Sequence, residues 1–293
     1  MERSQEIKQA ETGAWLSIIV YILLSILKLT VGYIGNSEAL RADGLNNSTD
    51  VIVSIAVLIG LKISRKPADE NHLYGHYRAE SIATLIAALI MTAVAVQIII
   101  NAVKSFISSE YSHPDMLTSW TALFGAFVLL FVYIYNRNLA KRLNSSSLMA
   151  AAQDSKSDAL VSIGAFIGII GAKMGAPWLD SLTALIVGIV IIKTALSIFQ
   201  EASTLLTDGF DQKRLALFRQ TVATTEGVMD VKDIKAREHG NKVYVDTTIL
   251  VNPHLNVIES HKITEDIERK MMLEHKNTYV LVHIEPYDIK ELS

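Results

Sequence analysis

Asp43, Asn46, Asp50 and Ser54 recur at three- and four-residue intervals around the stretch ADGLNNSTDV, and Asp154 and Asp158 lie four apart in QDSKSDALVS. Residues so spaced share one face of an α-helix, so each segment offers oxygen ligands one turn apart. Both stretches are embedded in apolar sequence of bilayer-crossing length, where a carboxylate is costly and normally faces a partner or a water-filled cavity. Hydrogen-bonded helix packing accounts for Asn47, Ser48, Thr49 and Ser157, but packing needs no ionisable group. Anions held close together repel unless a cation sits between them. Asn46, Asp50, Asp154 and Asp158 therefore read as a ligand set for a divalent ion. With neither imidazole nor thiolate in it, the set favours hard ions: Mn²⁺ first, then Fe²⁺, Co²⁺ or Mg²⁺, with Zn²⁺ and Cu disfavoured. Protons compete with metal for the same oxygens, and no cofactor is called for.

The elements that must carry these residues are apolar stretches near Trp15–Ile34, Ala39–Ile63, Ala79–Ile107, Trp120–Tyr135, Leu148–Ala172 and Leu179–Phe199. Each is close to the ~20 residues of a spanning helix. Breaks are expected at Gly35-Asn36-Ser37, Lys62 to Tyr77, Ser112-His113-Pro114, Asn136 to Ser147 and Gly175-Ala176-Pro177. The polar start MERSQEIKQAETGAW runs into an apolar stretch too long for a signal peptide's core, which predicts a retained first helix. Basic residues gather in that tail, in the second-to-third loop (Lys62, Arg65, Lys66, Arg78) and in the fourth-to-fifth loop (Arg137, Lys141, Arg142). The positive-inside rule then places both termini in the cytoplasm, in an integral protein of the cell membrane. After Glu201 the chain turns charged, with helical stretches at Gln212–Thr224 and Val257–Leu273 and strand-like KDIKARE, KVYVDTTILV and TYVLVHIEP. The expected fold is thus an α-helical polytopic membrane protein, with six transmembrane helices over residues 1–207 and a small α+β cytoplasmic domain over 208–293.

Half of the chain is hydrophobic and about a fifth charged, a poor fit to an ordinary globular domain. A net charge of −3 without a basic run gives no footprint for nucleic acid. The absence of cysteine excludes disulfides, thiolate metal sites and a cysteine nucleophile. No phosphate-cradling glycine loop, Ser/His/Asp arrangement or HExxH motif follows residue 201, so an enzyme is not expected.

The chain resembles the cation diffusion facilitator family through LRADGLNNSTDV, DENHLYGHYRAE, AAAQDSKSDALVS, SHKITEDIERKM and VHIEP. The resemblance implies a six-helix metal/proton antiporter with a metallochaperone-like tail, working as a homodimer. It implies a transport site of one pair of residues from each of helices two and five, here Asn46 with Asp50 and Asp154 with Asp158. Zinc-handling relatives usually carry His at a leading position, so Asn46 and Asp154 look like the manganese-exporting branch.

The resemblance also implies a loop metal site at Asp69, His72 and His76. The His72/His76 spacing suits one face of a helical turn, and the alternative is a pair of interfacial side chains capping the third helix. In the tail, His261, His283 and Glu285 match family metal positions, with His239 or His254 as possible additions. Thr248 stands where zinc-binding relatives often carry His, which weakens that site. Arg78 and Asp208 match a structural charge pair that in relatives ties the membrane helices to the tail. Lys28, Lys156 and Lys193 fall within apolar stretches and are expected to snorkel toward an interface.

The expected activity is export of Mn²⁺ from the cytoplasm in exchange for H⁺ by alternating access. The alternatives are export of Fe²⁺, Co²⁺ or Zn²⁺ by the same mechanism, or a divalent-cation channel. The partners expected are metal ions, protons, membrane lipid and a second copy of the chain.

Overall fold

The computed structural model describes residues 2–64, 66–108, 111, 113–143, 146–239 and 242–287. Arg65, Ser112 and the Asn144-Ser145 centre of the expected fourth break lie outside these residues. The elements are α1 (Glu2–Ile34), α2 (Glu38–Ser64), α3 (Ala79–Ser108), α4 (Met116–Leu143), α5 (Ser146–Lys173), α6 (Trp178–Leu206), α7 (Gln212–Ala223), β1 (Asp230–His239), β2 (Lys242–Val251), α8 (Val257–Glu274) and β3 (Thr278–Pro286). Helices α1 to α6 are all long and apolar enough to cross a membrane.

Helix ends differ from the hydropathy reading where polar residues that form helix well extend an apolar run. α1 begins at Glu2 rather than Trp15, and α6 continues to Leu206 rather than Phe199. α4 runs from Met116 to Leu143, so most of the break expected after Tyr135 is helix. Its Arg, Lys, Leu and Ala residues carry high helix propensity, and hydropathy marks the apolar slab rather than the helix. Asn136, at the expected break, is fully buried and donates through Nδ2 to Ser17 Oγ at 2.8 Å.

The described residues fall into two compact units. The first spans positions 1–57 and 86–199. Small side chains form much of its interior: Ala39, Ala122, Ala159 and Ala165 are wholly buried, while Leu23, Phe127 and Ile167 project outward. Small residues let helix backbones approach closely where lipid gives no hydrophobic drive for association. A Cβ on Gly44 would lie 3.0 Å from the Leu29 backbone nitrogen, so α1 and α2 meet almost backbone to backbone there. The start of α2 is held by Asp180, whose carboxylate accepts from Ser37 Oγ at 2.7 Å and from the Glu38 amide at 2.6 Å.

The second unit spans positions 58–85 and 200–293. Its sheet has the order β1-β2-β3, with β1 and β2 antiparallel and β3 parallel to β2. A parallel neighbour needs a crossover, which α8 supplies. α8 opens with a capping box between Asn256 and Glu259, and α7 is capped by Asp211. Alternate residues of β2 point inward, and Val245 and Ile249 pack with Phe218, Val222, Ile267 and Met271 in one apolar core. The strands and helices expected after Glu201 are all present.

Candidate metal sites

The turn at Asn36 joins α1 to α2, and the helical repeat of α2 carries Asn46, Asp50 and Ser54 onto one cavity wall. α5 brings Asp154 and Asp158 to the opposing wall of the same cavity, whose volume is about 510 Å³. All four residues of the proposed ligand set therefore line one space. Asn46 and Asp158 are buried, and Asn46 Nδ2 donates to Asp158 Oδ1 at 2.8 Å. Asp154 is more exposed. Asp50 Oδ2 is buried and has no hydrogen-bond partner among the described residues. A buried polar atom left so is costly unless an ion, proton or water meets it. The oxygens of this set fit a hard divalent ion as the transported substrate.

Tyr21 of α1 also lines the cavity, and its hydroxyl donates to Asp158 Oδ2. Sequence reasoning passed over it, although a tyrosine deep in an apolar helix needs a partner for its hydroxyl. Asp158 thus receives a hydrogen bond on each oxygen, from Asn46 and from Tyr21, which fixes the plane of its carboxylate.

Two expectations for this region are corrected. Asp43 belongs to the spacing of the α2 stripe but leaves the cavity and pairs with Lys28. Lys28 does not snorkel: it is completely buried and bonded to Asp43 Oδ1, Asn47 Oδ1 and Ser162 Oγ. Its acceptors lie at the same level of the bundle, so no free stem is left to reach an interface. Lys156 and Lys193 are exposed, and Lys156 lies over the Tyr133 ring.

In the loop before α3, Asp69 Oδ1 accepts from the amides of Asn71 and His72 at 3.0 and 2.7 Å and lies 3.0 Å from His72 Nδ1. Asp69 Oδ2 is 3.4 Å from His76 Nε2, and the two imidazole centroids are 4.1 Å apart. The histidines meet not on a helical turn but through a tight loop in which Gly75 adopts φ +83°, a region open to glycine at little cost. Among the described residues, this triad is the group of three His, Asp or Glu side chains whose ligand atoms all lie within 4.8 Å of one another. The membrane carboxylates are more widely spread, as mutually repelling groups around an open cavity would be. Hydrogen bonds from His72, ahead of those from the backbone amides, hold the Asp69 carboxyl below the usual carboxylate range.

The tail residues are dispersed. His261 on α8 approaches Glu265, whereas His283 and Glu285 on β3 lie 3.8 Å apart and Glu285 also accepts from Lys232 at 2.6 Å. His254 lies just before α8, where its amide donates to Asn252 Oδ1. Thr248 is paired in register with His283 and Asp233.

Arg78 contacts the Asp208 carboxylate and donates to the Leu206 carbonyl at 3.4 Å. Asp208 takes φ 60° at the end of α6, a left-handed turn that ends the helix and points its side chain to Arg78. Arg78 also lies 3.1 Å from His239 Nε2. Burial first, then the positive charges of Arg78 and Arg237, lower the proton affinity of His239.

Residues 14–207 match the cation efflux transmembrane domain, and residues 210–287 match the cytoplasmic domain of cation efflux proteins. The manganese efflux system protein MneS of Bacillus subtilis is 52% identical over 99% of this chain and 100% of its own length. The uncharacterized transporter YdbO of the same organism is 49% identical over 99% of this chain and all of its own length. A third relative there, the manganese efflux system protein MneP, is 31% identical over 94% of this chain and 95% of its own length.

Proposed function

The chain belongs to the cation efflux family, also called the cation diffusion facilitators, and from that premise we infer that it exports Mn²⁺ from the cytoplasm in exchange for H⁺. The observation that carries this reading is the cavity between α2 and α5, where an amide and three carboxylates offer only oxygen to an ion. The names of two relatives, both manganese efflux proteins, support the choice of metal. Asn46, Asp50, Asp154 and Asp158 bind the ion, and Tyr21 orients Asp158. Metal ligation needs bare carboxylates, so loading releases protons and unloading takes them up. That exchange couples the two fluxes when the site faces each side of the membrane in turn. The protein lies in the cell membrane with both termini cytoplasmic, and residues 208–293 form a cytoplasmic domain that pairs two copies.

A continuous channel is less well supported. The lining of the cavity ends at Tyr21 on α1, Asn46 on α2 and Val161 on α5, and the polar side chains beyond them, Lys28, Asp43 and Ser162, are fully buried.

The test is Mn²⁺ flux into proteoliposomes under an imposed pH gradient, with calorimetric Mn²⁺ binding on the same protein. Reversing the gradient should reverse the drive on Mn²⁺, and flux indifferent to pH would exclude antiport. Asp154→Ala should abolish manganese resistance while leaving a folded protein in the membrane. Normal resistance in that variant would remove Asp154 from the site.

A further inference from the structure

Lys28, Asp43, Asn47 and Ser162 form a polar cluster that the ligand set does not use, and each is completely buried. The Lys28 ammonium donates to Asp43 Oδ1 at 2.9 Å, to Asn47 Oδ1 at 2.7 Å and to Ser162 Oγ at 2.8 Å. An ammonium has three donors and no acceptor, so this pocket meets its hydrogen-bonding capacity in full. The bonds join α1 to α2 and α5, the two helices that carry the ligands.

The position of the cluster is as specific as its chemistry. Along α1 the cavity lining ends at Tyr21, along α2 at Asn46 and along α5 at Val161. Lys28 lies two turns beyond Tyr21, Asp43 one turn before Asn46 and Ser162 one turn past Asp158. All are displaced toward the same end of the bundle. Ser162 Oγ lies 3.1 Å from both Asp43 Oδ1 and the Asp158 backbone carbonyl, so the cluster touches the turn that bears a ligand.

We propose that Lys28 is a positioning residue that closes the cavity at the end nearest the C-terminus of α1: its ammonium, paired with Asp43 and bonded to Asn47 and Ser162, ties three helices together so that a divalent ion cannot leave the ligand set in that direction. The proposal rests on the transport-site reading above. Packing alone would be served by leucine or alanine, whereas a buried charge is costly unless fully paired. Passage toward that end requires the bonds to Asp43, Asn47 and Ser162 to separate, and Ser162 passes that demand to the Asp158 turn.

The test uses the full chain in proteoliposomes with Mn²⁺ as the probe. Lys28→Met combined with Asp43→Asn removes both charges at once, so neither is left buried alone. Ser162→Ala removes one acceptor and keeps the packing. Both variants should bind Mn²⁺ with the parent's stoichiometry by calorimetry. Mn²⁺ entry at zero pH gradient should rise about tenfold or more in the double variant, the effect of a barrier lowered by one factor of ten in rate. Ser162→Ala should show a smaller rise, and protons moved per Mn²⁺ should fall in both. Tight, fully coupled transport by the double variant would overturn the proposal. Were the double variant not to fold, an unchanged leak in Ser162→Ala would overturn it instead. Asp50→Asn isolates the underlying reading: parent-like Mn²⁺ binding there would refute the ligand set itself, whatever the leak at Lys28.

Discussion

At the scale of the residue, Asn46 makes two demands on one amide. Its nitrogen donates to Asp158, which leaves its carbonyl oxygen as the only ligand it can offer an ion. Asn46→His replaces that hard oxygen by an imidazole nitrogen, which favours softer ions. The expected outcome is a shift of about tenfold toward zinc, some 1.4 kcal/mol, in Zn²⁺/Mn²⁺ competition for transport. Unchanged competition would place selectivity elsewhere. The stripe on α2 and the pair on α5 were legible in the sequence because their members lie on single helices at helical spacing. Tyr21 and Lys28 were not, because their partners Asp158 and Ser162 are more than a hundred residues away. Spacing within one helix carries no information about such contacts.

At the scale of the element, α2 and α5, the two helices that carry the proposed ligands, depend on close backbone approach. A Cβ on Gly168 of α5 would stand 2.0 Å from Thr183 Oγ1, 2.8 Å from Thr183 Cβ and 3.1 Å from the Leu179 carbonyl of α6. Gly168→Val should therefore destabilise the detergent-solubilised protein by roughly 1–3 kcal/mol, the usual cost of overpacking, read as a lower midpoint of thermal unfolding. Adding Thr183→Ala should restore part of that loss, since it relieves the hydroxyl contact but not the others. In the tail, Asn256→Ala removes the α8 capping box and should cost about 1 kcal/mol. Apolar periodicity was enough to foresee α8 and β2, whose inward residues alternate or recur without interruption. It failed at both ends of α4 because helix continues into polar sequence, where hydropathy falls but propensity does not.

At the scale of the whole molecule, pH acts on the second unit as well as on the proposed exchange of ions. His239 faces Arg78 and Arg237, with Asp208 as the opposing charge and Tyr74 and Tyr244 beside the ring. Its proton affinity is lower in the folded protein than in the unfolded chain. The unfolded state therefore gains the proton first as pH falls, so stability is full above about pH 6.5 and declines below it. Amide exchange in β1, corrected for its intrinsic pH dependence, should accelerate between pH 7.5 and 5.5, and His239→Gln should flatten that trend. The Arg78–Asp208 pair is partly exposed on both sides, so Asp208→Asn should change equilibrium stability by no more than about 1 kcal/mol. A much larger loss in thermal unfolding would mean that this pair does more than an ordinary surface contact. The candidate tail residues were legible as residue types only: their chemistry could be named from the sequence, but whether His261 meets His283 depends on packing that no local pattern encodes.

The burial of Lys28 also bears on how the chain is made. As α1 leaves the ribosome it carries a lysine six residues from its C-terminal end, a burden of up to roughly 2.5–3.5 kcal/mol for a helix inserting on its own. Asp43 follows only half a helix later, so the nascent segment should linger at the translocon until its neighbour arrives, and the two should enter lipid as a hairpin.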